Sequence, residues 1–536
     1  MGRRTTTWQG CGAIPRIRAR RALQSRSGCW LDVLIDGPFA EYESSGPEGK
    51  VLGFLDLLRT LEAARSDARF EGLVLRMTGR LGSFAQSAAL ARMVAHWRDS
   101  GRRVVVWAKE LSIEDYAMVA ESDALWMPES AELQLIGLSV ERFFLKGLLD
   151  QLGIRPEVVH VGRYKSAGEA FTRQGMSETE REQIDLWQGD VFDEFVRAIA
   201  AGRGLSEREV RDRIDQGPYP ARLALEAGLI DGIAYADELD QRLHEESLKS
   251  SGGGRQARRA QRVDASLYFR AWVFRGHGKR GFRAPARLVQ WAAAGQISRG
   301  TSGRGISEVG AAQLLDELRT DASIRGVLLR IDSPGGDALA SDLIHHEIER
   351  IRREKPVVVS MGDVVASGGY YMAAAADAIF AEVTTLTGSI GVVGGKMNLG
   401  ALYDKLGVAR DGVRRGARAG LFSEARGYSP DERAAVRREM EAIYDIFLDR
   451  VTRGRPLDRK SVEAVAQGRI WSGRRALELG LVDELGGPLE ALQDLAGRAG
   501  LAKDEHYPVV TLPRPSFLPG WIAPLLSGWG MGSRAS

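Results

Sequence analysis

Short apolar runs alternate with amphipathic stretches along most of this chain. In the second half the strand-like runs are Gly326–Asp332, Val357–Met361 and Ala378–Ala381, and the helix-like stretches are Ala311–Arg319, Ser341–Arg353 and Gly368–Asp377. Helix follows strand at short spacing, and the strands are rich in valine, leucine and isoleucine. This order predicts parallel βαβ units whose strands are buried on both faces.

The same pattern occurs twice. The matching segments are GLVLRM at 72–77 and GVLLRI at 326–331, VVVW at 104–107 and VVVS at 357–360, YAMVAESDALWM at 116–127 and YYMAAAADAIFA at 370–381, and AGLID at 227–231 and LGLVD at 479–483. The offset stays between 252 and 254 residues, which chance matches would not maintain. The first copy also predicts a helix over Ser87–Ser100. The sequence therefore predicts two tandem α/β domains, each a mostly parallel sheet flanked by helices.

The length and the repeat together predict the domain organisation. A chain of 536 residues exceeds one ordinary core. We expect a basic irregular segment over 1–30, a first repeat over 31–245, a basic and aromatic linker over 246–285, a second repeat over 286–500 and an apolar tail over 501–536. Long charged helices are predicted at Glu178–Ala201 and Pro430–Thr452, where they could pack one unit against the other.

Charge and cysteine content limit the classes of site and partner. The net charge is +3, and the only cysteines are Cys11 and Cys29, so a disulfide framework and a cysteine-rich metal site are excluded. We predict no metal, no cofactor and no nucleic-acid partner. No run of 18 apolar residues occurs, and the arginine-rich N-terminus has no apolar region behind it. The chain therefore shows no clear transmembrane helix or signal peptide.

The linker has two interpretations. Aromatic residues at 268, 269, 272 and 274 alternate with arginines, directly after a glycine-rich basic stretch. Such a segment is either a solvated connection followed by an element that packs on the domain, or an interfacial segment that contacts a membrane surface. Peripheral membrane contact is therefore an expectation at this point.

One turn of the second repeat carries a serine that the first repeat lacks. ASGGYYM places Ser367 between a predicted strand and a predicted helix, whereas the first copy reads SIEDYAM with Ile113 at this position. A serine here is often only a helix N-cap. Two following glycines favour a nucleophile instead, because they open the approach to the hydroxyl beside a helix N-terminus.

A second turn could hold a developing oxyanion. RIDSPGG ends a buried strand at Gly335 and Gly336, and glycines let a substrate carbonyl approach backbone amides closely. The turn could equally be a tight connection and nothing more. The first copy reads RMTGRLG, without the Pro-Gly-Gly.

A lysine in the first repeat is the candidate base. GRYKSAGEAF surrounds Lys165 with small and aromatic residues, whereas the second repeat has GARAGLF and no lysine. Most lysines are solvated surface groups, but one held in an apolar pocket becomes neutral and can accept a serine proton. Nothing in the positions of the histidines supports a Ser-His-Asp triad. A single Ser–Lys site shared by both repeats explains why the first repeat lacks the serine and the second lacks the lysine.

Together these motifs resemble the signal peptide peptidase family of SppA type, in its long tandem-domain form. The resemblance covers roughly residues 30–500 and includes RIDSPGG, VVVSMGDVVASGGYYMA, TLTGSIGV, GRYKSA and AQGRIWSG. It implies a Clp/crotonase-like α/β fold and a serine endopeptidase. By resemblance, Ser367 is the nucleophile, Lys165 the general base and Ser389 the residue that orients the lysine. Gly335, Gly336 and Gly368 fall where the oxyanion hole is expected.

The resemblance also implies substrates, assembly and location. The substrates would be remnant signal peptides and other extended hydrophobic peptides, cleaved by a homotetramer at the periplasmic side of a bacterial membrane. Two other classes remain open from the residues alone. One is a crotonase-like acyl-CoA enzyme that holds an enolate with paired amides, and the other is a non-catalytic membrane-associated scaffold.

Overall fold

The computed structural model describes residues 28–46, 49–250, 261–277, 286–301, 305–501 and 507–512. The predicted N-terminal segment up to residue 27, most of the glycine-rich linker and the tail after residue 512 lie outside these ranges. Cys11 lies outside them too, and Cys29 is buried in strand β1 of the N-terminal half.

A six-stranded parallel sheet forms the centre of the N-terminal half. Its strands, in spatial order, are β11 (Gly232–Ile233), β7 (Ala124–Met127), β5 (Arg103–Ala108), β4 (Phe70–Met77), β1 (Cys29–Ile35) and β12 (Gln261–Asp264). Helices cover both faces, so the central strands β4 and β5 are buried almost throughout. This burial explains why they read as continuous apolar runs.

Shorter elements complete this half. A small three-stranded sheet consists of β10 (Tyr219–Pro220), β8 (Glu132–Gln134) and β6 (Glu110–Ser112), and a hairpin consists of β2 (Ser44–Gly46) and β3 (Gly49–Val51). The helices are α1 (Phe54–Arg65), α2 (Phe84–Asp99), α3 (Ile113–Val119), α4 (Lys146–Leu152), α5 (Glu169–Thr172), α6 (Glu178–Arg203), α7 (Glu207–Ile214), α8 (Ala221–Glu226), α9 (Leu239–Ser250) and α10 (Ala265–His277). Strand β9 (Arg155–Val161) belongs to neither of these sheets and pairs with a strand of the C-terminal half.

The C-terminal half repeats the parallel sheet. Its strands are β22 (Glu484–Leu485), β18 (Ala378–Ala381), β17 (Val357–Ala366), β16 (Ile324–Ser333), β13 (Arg287–Ala294) and β23 (Val509–Leu512), with β19 (Leu386–Gly388) and β21 (Ile470–Ser472) continuing from the end of β17. A short pair, β14 (Ile297–Ser298) and β15 (Ile306–Ser307), and β20 (Val392–Asn398) complete the strands. The helices are α11 (Glu308–Thr320), α12 (Ala338–Arg352), α13 (Gly368–Ala373), α14 (Gly400–Leu406), α15 (Pro430–Gly454), α16 (Arg459–Val465), α17 (Gly473–Glu478) and α18 (Pro488–Arg498).

The two sheets have the same topology. The order β11-β7-β5-β4-β1-β12 corresponds strand for strand to β22-β18-β17-β16-β13-β23, and all these pairs are parallel. The predicted fold class, tandem α/β domains with mostly parallel sheets flanked by helices, is confirmed.

Two strands, one from each half, form an antiparallel ribbon. β20 pairs with β9 over seven residue pairs, from Val392 opposite Val161 to Asn398 opposite Arg155. The long helices also bridge the halves, since Asp190 of α6 accepts hydrogen bonds from Ser472 and Arg475. The halves therefore form a joint structure around this ribbon.

Three aromatic residues of the linker, Tyr268, Phe269 and Trp272, pack on the domain from helix α10. Tyr268 is buried edge-on against Phe70, and Trp272 stacks beneath the Arg59 guanidinium. The side chains of residues 273–277 lie outside the described part. These contacts favour an element packed on the domain over a membrane-surface segment. Within the described ranges, no helix has both the length and the apolar composition needed to cross a bilayer.

The Arg92–Glu382 ion pair gives a test of how the halves are held together. Arg92 of α2 donates two hydrogen bonds, of 2.5 and 2.7 Å, to Glu382, whose side chain is 1% exposed. Replacing Arg92 with Met leaves a buried carboxylate without its partner, so we expect a loss of about 3–5 kcal/mol in unfolding free energy. Urea unfolding measures it. The control is Arg98→Met, which removes an exposed 3.8 Å pair with Glu121 and should change stability by less than about 1 kcal/mol. Equal effects of the two variants would contradict the prediction.

Candidate active site

Ser367 lies at a strained turn between strand β17 and helix α13. Its backbone has φ 55° and ψ −116°, a conformation that side-chain-bearing residues rarely adopt. The turn is held because the Ser367 amide donates to the Gly388 carbonyl at 2.9 Å. The hydroxyl makes no capping hydrogen bond to α13. The N-cap alternative is therefore not realised, and the hydroxyl is turned to another partner.

Lys165 reaches this turn from the other half of the chain. It follows the ribbon strand β9, in a loop that touches the segment before β21: the Tyr164 amide donates to the Gln467 carbonyl at 2.8 Å. A Cβ added at Gly468 would lie 2.6 Å from the Lys165 Cβ, so only glycine fits there. The lysine loop is thus fixed by backbone contacts with the C-terminal half.

The lysine amine has three oxygen neighbours. Lys165 Nζ lies 3.0 Å from Ser367 Oγ, 3.0 Å from Ser389 Oγ and 2.8 Å from the Ser389 carbonyl oxygen. A neutral amine has two N–H groups and one lone pair. It can donate to both Ser389 oxygens and accept the Ser367 hydroxyl proton, so this arrangement suits the neutral form.

Burial favours that neutral form. The Lys165 side chain is 7% exposed, and desolvation lowers its pKa from 10.5 to about 7. Across the described part of the chain, no carboxylate forms an ion pair with this amine, so nothing offsets the desolvation. The lowered pKa brings the unprotonated form of the lysine within reach at neutral pH.

Ser389 is held as firmly as Ser367. It follows β19 with φ 52°, and its amide donates to the Arg469 carbonyl at 2.7 Å. Both its carbonyl and its hydroxyl point to the amine, so it presents two acceptors from one rigid residue. The structure brings Ser367, Lys165 and Ser389 together around the lysine amine.

The predicted oxyanion glycines do not have equivalent positions. Gly336 and Gly368 line the cavity beside Ser367, and a Cβ at Gly368 would lie 3.2 Å from the Gly336 amide nitrogen. The Gly335 amide instead donates to Ser333 Oγ at 3.2 Å. Gly335 serves another need, because it has φ 97° and its Cα packs directly against the Ser367 turn. Of the three glycines, Gly336 and Gly368 line the cavity.

A cavity of about 310 Å³ opens beside the serine. Most of its wall is apolar and comes from β20 and one face of α15. The apolar lining residues are Ala338, Tyr371, Val392, Val393, Phe422, Val436, Met440, Ile443 and Phe447. Tyr371 is fixed by its hydroxyl, which donates to Asp342 at 2.7 Å, and by its ring, 4.5 Å from that of Phe447. The cavity therefore presents a mainly apolar surface directly beside Ser367.

Sequence reasoning gave no role to the segment that holds the lysine. Gln467 and Gly468 lie within AQGRIWSG, a motif of the resemblance, but nothing in its composition indicates contact with a loop some 300 residues earlier. The position of Tyr371 in the cavity wall was also not predicted. The sequence does distinguish this position, because the first repeat has Ala117 where the second has Tyr371.

Comparison with known proteins gives a consistent result. The sequence model of peptidase family S49 matches residues 96–249 and 349–502. The chloroplastic serine protease SPPA of Arabidopsis thaliana is 34% identical over 475 residues, which cover 87% of this chain and 68% of that protein. Protease 4 of Haemophilus influenzae is 30% identical over 455 residues, covering 82% of this chain and 71% of that protein. Protease 4 of Salmonella typhi is 28% identical over 447 residues, covering 80% and 69%.

The buried lysine predicts an unusual dependence of stability on pH. Between pH 7 and 10.5 the unfolded chain keeps the lysine proton that the folded chain has lost, so folded stability rises with pH in this window. Lys165→Met removes that titration. We expect the variant's stability relative to wild type to fall by up to about 1.4 kcal/mol per pH unit across the window, and to be constant below it. Urea unfolding at several pH values measures the difference. A gap that does not change between pH 7 and 10 would show that the lysine titrates normally.

Proposed function

Because this chain belongs to peptidase family S49 and is a serine peptidase, we propose that its nucleophile is Ser367 and its general base Lys165. Family membership replaces the acyl-CoA enzyme and the scaffold as interpretations. The observation that carries the proposal is the 3.0 Å distance between Lys165 Nζ and Ser367 Oγ. The amine is also buried, and desolvation lowers its pKa.

The proposed reaction begins with the neutral lysine. Lys165 takes the hydroxyl proton as Ser367 Oγ attacks the scissile carbonyl, and the carbonyl oxygen becomes an oxyanion. The amides of Gly336 and Gly368 donate to that oxyanion, aided by the N-terminus of α13. The lysine ammonium then gives its proton to the departing amine, which leaves an ester on Ser367.

The second half-reaction uses the same groups. The lysine, neutral again, removes a proton from a water molecule that attacks the ester, and the proton then returns to Ser367 Oγ. Ser389 is a positioning residue in this scheme. Its two oxygens accept both amine N–H groups, which leaves the nitrogen lone pair directed at the serine hydroxyl.

The proposed substrates are remnant signal peptides and other hydrophobic peptides in extended conformation. The apolar wall beside Ser367 supports this, since each buried valine- or leucine-sized side chain contributes about 1.5–3 kcal/mol. We further propose that the enzyme acts near the bacterial membrane, where such peptides arise, as a homotetramer.

Substitution of each group tests the proposed dyad. Ser367→Ala removes the nucleophile, and Lys165→Arg keeps a cation that cannot be deprotonated. We expect each to lower kcat/KM for a hydrophobic peptide by about 10³-fold or more. A fluorophosphonate probe should label Ser367 in wild type and fail to label either variant. Lys146→Arg, at an exposed lysine of α4, is the matched control and should behave as wild type. Normal hydrolysis by Lys165→Arg would refute the role of the lysine.

The pH dependence of the rate provides a separate test. Because Lys165 must be unprotonated and its pKa is about 7, kcat/KM should rise about tenfold per pH unit below pH 7 and level off above it. Initial rates between pH 5 and 10 measure this profile. A rate that keeps rising to pH 10 would contradict a lysine with a lowered pKa.

A further inference from the structure

Each repeat extends a long arm away from its sheet. The arm consists of an outgoing segment, a short helix and a returning segment. In the first repeat these are residues 138–144, α4 and β9; in the second they are β20, α14 and residues 409–415. The offset of 254 residues holds throughout, and both helices end at a left-handed glycine, Gly153 and Gly407. The two arms are therefore copies of one structure.

Only half of each arm has a partner. The returning strand of the first arm, β9, pairs with the outgoing strand of the second, β20. Residues 138–144 and 409–415 form no strand in the described chain. Each carries strongly exposed apolar side chains: Phe143 is 89% and Val413 92% exposed, and Val140 is 37% exposed. Within the described ranges, residues 138–144 and 409–415 therefore lack a strand partner, although they correspond in the repeat to the paired strands β20 and β9.

The register of the existing ribbon can be transferred to these segments. Subtracting or adding 254 to each pair gives Leu138 opposite Arg415, Ser139 opposite Arg414, Val140 opposite Val413, Glu141 opposite Gly412, Arg142 opposite Asp411, Phe143 opposite Arg410 and Phe144 opposite Ala409. The exposed valines Val140 and Val413 face each other. Arg142, which also contacts buried Glu180, meets Asp411, just as Lys396 meets Glu157 in the existing ribbon. Both matches favour pairing.

We infer that residues 409–415 of one copy of this chain pair with residues 138–144 of a second copy. Within one chain the two segments are unpaired, although both are exposed, so a second copy is the partner that supplies the missing strand. The contact is head-to-tail, because the two surfaces differ; it therefore closes as a ring or continues as a filament. This contact is the interface that we infer for the homotetramer proposed above, and it does not depend on the proposed Ser–Lys dyad.

The offset of 254 residues also predicts which residues lie next to the inferred strand pair between two copies. Just as β9 leads into the lysine loop, residues 409–415 lead into 416–422, which would lie against the first-repeat turn of the next copy. There Ala419 takes the place of Lys165, and Ile113 the place of Ser367. The first-repeat turn also carries Glu114 and Asp115 where the second repeat has two glycines. The contact between copies therefore has no dyad, so the assembly has one active site per chain.

Paired cysteines test the register. Val140→Cys and Val413→Cys in one chain place two thiols directly opposite across the predicted contact. Under mild oxidation we expect a ladder of covalent multimers of the 58.6 kDa chain on a denaturing gel. A mixture of the two single variants should give dimers and no higher species. Wild type, which retains Cys11 and Cys29, gives the background. Cross-linking of either single variant with itself would show a symmetric contact and overturn the inference.

A second variant tests the contact without a covalent bond. Val413→Asp buries a charge in the predicted ribbon and should reduce the mass in solution to that of a single chain. The control Leu223→Asp, at an exposed leucine of α8, should leave the mass of the assembly unchanged. Fluorophosphonate labelling of Ser367 should persist in Val413→Asp, because both dyad residues come from one chain. A wild-type chain that remains a monomer at all concentrations would overturn the inference, whereas loss of labelling in wild type would refute only the proposed dyad.

Discussion

The antiparallel ribbon between β9 and β20 is the interaction on which the candidate site depends. Lys165 follows the last residue of β9 by four positions, and Ser389 precedes the first residue of β20 by three. The pair Val161–Val392 therefore places the amine beside both serines. A slip of one residue would move the lysine loop by about 3.3 Å and reverse the faces of the strand. A hydrogen bond of 3.0 Å between Lys165 and Ser367 tolerates no such slip.

Strain is concentrated around the amine. Three residues other than glycine have positive φ in the described chain: Ser367, Ser389 and Gln467. All three touch the lysine loop or the amine itself, and such conformations cost on the order of 1–3 kcal/mol each. Burial of Lys165 adds a further cost at neutral pH. The two parallel sheets and the contacts between the halves supply the stability that offsets these costs, so the rigid core is a condition of the site.

The sequence was informative where burial was complete. Central strands such as β16 and β17 were predicted within a few residues, because a strand covered on both faces is a continuous apolar run. The edge strands β12 and β23 are short and half-exposed, and they carry no such signal. Because the first repeat lacks the serine and the second lacks the lysine, the sequence predicted that Ser367 and Lys165 share a site. It could not predict the ribbon, the Gln467 contact or the Gly335 amide bond to Ser333, since these depend on tertiary distances between segments that have no common pattern.

The first-repeat copy of the turn is held together differently from the Ser367 turn. In the first repeat Asp115 is fully buried, and it accepts hydrogen bonds from Ser112 Oγ at 2.9 Å and from the Leu81 amide at 3.3 Å. Burial raises its pKa to about 6. A side chain thus joins the two turn segments. In the second repeat the corresponding Gly369 has no side chain, and a Cβ there would lie 2.7 Å from the Ser333 carbonyl oxygen. Direct backbone packing takes the place of the carboxylate, so no side chain fills the part of the cavity that Gly336 and Gly368 line.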